Sequence, residues 1–161
     1  MTQTVVILTE DTLLDTDVAQ IVETYSGRDV RFEVLVPADT DHNVLQEVVN
    51  DLGLLDLRRL WHDITNPDPD DREARTEASE ALRLSLAMLE AAGATADGVV
   101  VGDDPLPALS QAVANHRAVE VVVVTTPKIL DDTLRRDWAS RAREALGVPV
   151  LHLYTGSSIV G

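Results

Sequence analysis

The sequence predicts a single α/β domain built on a doubly wound, five-stranded parallel sheet with helices on both faces. Three observations carry this expectation. The run Val119-Glu120-Val121-Val122-Val123-Val124-Thr125-Thr126-Pro127 is too apolar for a strand with one wet face, so it belongs in a sheet covered on both sides. Strand-like and helix-like segments alternate along the chain, as in βαβ units. Five strands joined by four helical connections, each crossing over with the usual right hand, leave few arrangements besides a doubly wound sheet.

Taken in order, Thr4 to Leu8 is the first buried strand, and it runs into the polar end Thr9-Glu10-Asp11. Asp15 or Thr16 is placed to cap a helix whose Val18, Ile21, Val22 and Tyr25 recur at helical spacing, and Ser26-Gly27 stops it. Val30 to Val36 is the second strand, closed by Pro37. Between Asp39 and Pro69 the alternation is interrupted by a helical insertion, centred on about residues 40–66. It carries the stripe Val44, Leu45, Val48, Val49, Leu52 and a second short helix around Leu57, Leu60 and Trp61. Asp70 and Glu73 resemble a capping box for the longest helix, Asp71 to Ala92, which Gly93 ends. Gly98 to Val101 is the third strand. Asp104 then stands as N-cap before Pro105, and Leu109, Ala112, Val113 and His116 share one face of the helix that follows. After the Val119 strand, Asp132 or Thr133 caps a last helix bearing Leu134, Trp138, Ala142 and Ala145. Gly147 stops it, and Val148 to Tyr154 is the fifth strand. The domain spans 1–155, and 156–161 reads as a flexible C-terminal tail.

Composition narrows the function. The 161 residues, 45% hydrophobic and 25% charged, are enough for one sizeable core. Thirteen Lys plus Arg against 28 Asp plus Glu give a formal charge of −15, which repels phosphate backbones and anionic lipid, so neither nucleic acid nor membrane is an expected partner. No apolar run approaches the ~18 residues of a membrane span, and Met1-Thr2-Gln3-Thr4 enters a strand with no basic leader; a cytoplasmic location is expected. The absence of cysteine removes disulfides, thiolate nucleophiles and thiolate metal sites.

Few residues suggest chemistry. His42, His62, His116 and His152 show no metal-ligand spacing, so no metal is assigned, and His116 stands near a helix C-terminus where the dipole favours its charge. Asp103-Asp104 and Asp131-Asp132 could act as acid/base pairs, but each pair lies where a helix needs an N-cap, and capping is the favoured explanation. Asp68, Asp70 and Asp71 lack the calcium-loop spacing. Gly156-Ser157-Ser158 is not a nucleophile elbow, and no dinucleotide fingerprint or P-loop occurs. No catalytic residue is assigned.

Four stretches carry a family resemblance: the opening Thr4-Val5-Val6-Ile7-Leu8; Val99-Val100-Val101-Gly102-Asp103-Asp104-Pro105 leading to Ala108-Leu109 and Ala112; the Glu120 to Thr126 strand; and the closing Ala145-Leu146-Gly147-Val148-Pro149-Val150-Leu151. Together they resemble a universal stress protein domain and cover nearly the whole chain. The resemblance implies the fold shared by universal stress proteins and adenine nucleotide α-hydrolases, with sheet order 3-2-1-4-5. It also implies a homodimer through the fifth strand and, in many members, an ATP or AMP site between strands one and four. Members that bind ATP carry Gly-x-x-Gly and, further on, Gly-Ser or Gly-Thr after strand four, where backbone amides close on the phosphates. This chain has no glycine from Asp103 to Leu146, and Arg136-Asp137 falls about where the Gly-Ser pair would stand. An aspartate there repels phosphate. No cofactor is therefore assigned, and the chain is expected to be a divergent member.

Two functional expectations follow. The first is a non-catalytic universal-stress-type module acting as a dimer in stress response or regulation. Its interface would be Val148, Val150, Leu151, His152, Leu153 and Tyr154, a strand without lysine or acid to blunt its edge. The second is a nucleotide or small-molecule binder, with ATP or AMP as candidate ligands and weak ATP hydrolysis as a candidate activity. It would use Thr9, Glu10, Asp11, Val36, Gly102, Thr125, Thr126 and Lys128 around the switch point, where open α/β sheets bind ligands. Val36 and Gly102 match family positions loosely, and the others follow from strand-end geometry. Lys128 is the only lysine in the sequence and stands just past strand four, where an anion would need a cation.

Overall fold

The β-branched runs lie side by side as expected. In the computed structural model, which describes residues 1–38, 71–102, 105–125 and 143–156, the strands β1 (Gln3–Thr9), β2 (Val30–Pro37), β3 (Thr95–Val101), β4 (Glu120–Thr125) and β5 (Val150–Tyr154) form one sheet. Its order is β3-β2-β1-β4-β5. Every pairing is parallel, with Val6 opposite Glu33 on one side and Val121 on the other, and Val123 opposite His152. β5 is therefore an edge strand, and β3 is the other edge.

The helices are α1 (Asp15–Thr24), α2 (Asp71–Ala91) and α3 (Pro105–His116), and residues 143–146 are also helical. Because strand side chains alternate between faces, each strand feeds two separate cores. On one face Val5, Ile7, Phe32, Val34, Val122 and Val124 meet Val18 and Ile21 of α1, Tyr25 just after it, and Ala78, Ala81 and Leu89 of α2. On the other, Val6, Leu8, Leu35, Val121 and Val123 meet Leu106, Leu109, Ala112 and Val113 of α3, with Ala145, Leu146 and Val148 packed alongside. Burying each such Val, Leu or Ile side chain contributes about 1.5–3 kcal/mol, which is why a sheet this apolar needs both layers.

Several boundaries differ from the sequence expectation. β3 begins at Thr95, three residues before Gly98, because β2 offers it a parallel partner from Arg31 onward; turn-like Asp97-Gly98 is held by pairing that a local pattern does not show. β2 extends one residue further, through Pro37. The fourth strand starts at Glu120, one residue after Val119. β5 starts at Val150, since Val148 and Pro149 form the approach, where the Pro149 carbonyl accepts the Val121 N–H at 2.9 Å. The cap of α1 is Leu14, neither Asp15 nor Thr16; Asp17 supplies the bond by accepting the Leu14 N–H at 2.9 Å. His116 is exposed, unlike Leu109, Ala112 and Val113, and its Nε2 stands 3.9 Å from the Glu33 carboxylate. Helix α2 ends at Ala91, one residue before the expected Ala92, with Gly93 at φ 88° just beyond it.

The expected insertion at 40–66, the Asp70 and Asp104 caps, Asp103, the Asp131-Asp132 pair, Trp138, Arg136-Asp137, His42, His62 and the tail beyond Gly156 lie outside the described residues.

Candidate functional site

Each parallel strand ends at the same edge of the sheet, so the ends of β1 and β4, central neighbours in the order, meet at the switch point. Thr9 closes β1 in register with Val124 of β4. Thr125, the last residue of β4, stands opposite Tyr154. The topology thus brings Thr9, Glu10, Asp11 and Thr125 to one edge. Thr126 and Lys128, expected beside them, lie outside the described residues.

Both strand-end threonines are buried. Thr9 is 3% and Thr125 2% exposed. The Thr9 hydroxyl donates to the Asp11 carbonyl at 2.8 Å, tying the loop back onto the strand, and the Asp11 carboxylate accepts the Thr12 N–H at 2.6 Å. Thr125 Oγ1 meets His152 Nε2 at 2.5 Å, and the His152 ring packs at 4.6 Å against that of Tyr154. Glu10 is half-buried and Asp11 exposed. Val36 is wholly buried in the core beneath α1 and α2. Gly102 is exposed after β3, and among the described residues nothing would meet a side chain there. Among the described residues, no group of three or more His, Cys, Asp or Glu side chains is arranged to hold a metal ion.

The residue that sequence reasoning missed is Asp17, 1% exposed. Its Oδ2 accepts the Leu14 N–H at 2.9 Å and the Thr155 hydroxyl at 2.7 Å, while Oδ1 accepts the Gly156 N–H at 2.8 Å. Three donors satisfy a carboxylate that burial would otherwise penalise heavily. A signal was present: an acid in the first turn of α1, where the helix dipole favours it. Its partners in the C-terminal stretch, 138 and 139 positions away, were not legible. Nearby, the buried Leu13 N–H donates to Ser85 Oγ of α2 at 3.0 Å, fixing the loop after β1 from its other side.

No protein-family model matches the sequence, and no curated protein matches it. Among solved structures, this chain is similar to a universal stress protein from Archaeoglobus fulgidus, with TM-score 0.57 and 14% identity over 96% of this chain and 95% of that one. The chain has the fold of the universal stress proteins. The Archaeoglobus fulgidus protein in complex with dAMP gives TM-score 0.55 at 14% identity, covering 96% and 99% of the two chains. A universal stress protein family protein from Arabidopsis thaliana with AMP bound gives TM-score 0.51 at 12% identity, covering 96% and 93%. The resemblance read from the sequence is met at the level of the fold, including the 3-2-1-4-5 order.

Proposed function

We propose that this chain is a universal-stress-type module that acts without catalysis, as a homodimer joined through β5, in stress response or regulation. Its location would be the cytoplasm; among the described residues no helix is long and apolar enough to cross a membrane. The observation that supports the non-catalytic reading is that the two strand-end threonines are engaged within the chain. Thr9 and Thr125 are buried with their hydroxyls engaged within the chain, and no glycine lies between Asp103 and Leu146 to bring backbone amides onto a phosphate. Titration calorimetry of the purified protein with Mg-ATP is expected to show no tight binding. A dissociation constant in the low micromolar range would overturn the reading.

A second reading, a nucleotide binder at the same edge, is favoured by one observation. Two of the similar structures, from Archaeoglobus fulgidus and Arabidopsis thaliana, hold dAMP and AMP. Native mass spectrometry separates the two, since a retained nucleotide mass supports the binder and a bare chain of 17.5 kDa or its dimer supports the module.

A further inference from the structure

We draw no further inference here: the strongest candidate, the face of the edge strand β3 that leaves Thr95, Asp97 and Val99 exposed, is an open sheet face, and among the described residues nothing shows what covers it.

Discussion

The hydroxyl of Thr125 and Nε2 of His152 meet at 2.5 Å across β4 and β5, with both side chains buried. The contact fastens the edge strand to the sheet at the end where the strand ladder finishes. Replacing Thr125 by valine keeps the shape and removes the hydroxyl, so His152 loses a buried partner. A loss of about 1–3 kcal/mol is expected. Urea unfolding monitored by circular dichroism measures it, and an unchanged midpoint would show that the contact contributes nothing.

Gly98 marks where α2 comes down on the sheet. A Cβ built there falls 2.5 Å from the Val34 carbonyl oxygen and 2.6 Å from Leu82 Cδ1, so Gly98→Ala forces either the neighbouring strand or the helix to move. Overpacking of this kind costs about 1–3 kcal/mol. Gly102→Ala is the control, since among the described residues no neighbouring atom lies within 4 Å of the added carbon, and it should change stability by no more than about 0.5 kcal/mol. Equal melting temperatures for the two variants would contradict this account of α2 packing.

At the other end of the sheet the Tyr25 phenol is buried without a hydrogen bond of ordinary geometry, and Arg28 stacks on its ring at 5.1 Å. Burial pushes its pKa up and the nearby Glu120 charge pushes it further, while Arg28 opposes weakly. The unfolded tyrosine loses its proton near pH 10, before the folded one does. Its contribution is therefore fully present below about pH 10 and is lost as pH rises above that value toward the folded pKa. Tyr25→Phe should show a shallower loss of stability than the wild type above about pH 10 and little change at pH 7. Guanidinium unfolding of both proteins across that range tests it, and parallel curves would exclude Tyr25 as a source of the alkaline loss.

The edge position of β5 supports the proposed dimer, because an unpaired strand edge offers backbone groups that a two-fold copy can satisfy. The side chains narrow the choice of probe. Leu153 is 1% exposed, so Leu153→Lys would break the core of the subunit, whereas Leu151 is only half-buried and is the better site for a charge. Sedimentation at micromolar concentration should give a species of twice the 17.5 kDa chain mass for the wild type and a lighter one for Leu151→Lys. A wild-type species at the single chain mass refutes the dimer.

The fold was legible because hydrophobic burial is local information. Runs such as Val5 to Leu8 and Val121 to Val124 announce strands covered on both faces, and residues such as Gly93 mark helix ends. Local pattern also brought Thr9 and Thr125 to one edge, since parallel strands that alternate with helices end on the same side. What the sequence did not disclose were contacts whose partners are far apart in the chain. Pairing with β2 turned Thr95-Ala96-Asp97 into strand, packing under α1 placed Leu153 in the core, and a carboxylate in the first turn of α1 found its donors in the residues that follow β5. Propensity and spacing describe what a segment prefers when alone. Only the folded chain decides which buried polar groups meet, because each must find a partner and that partner is set by topology.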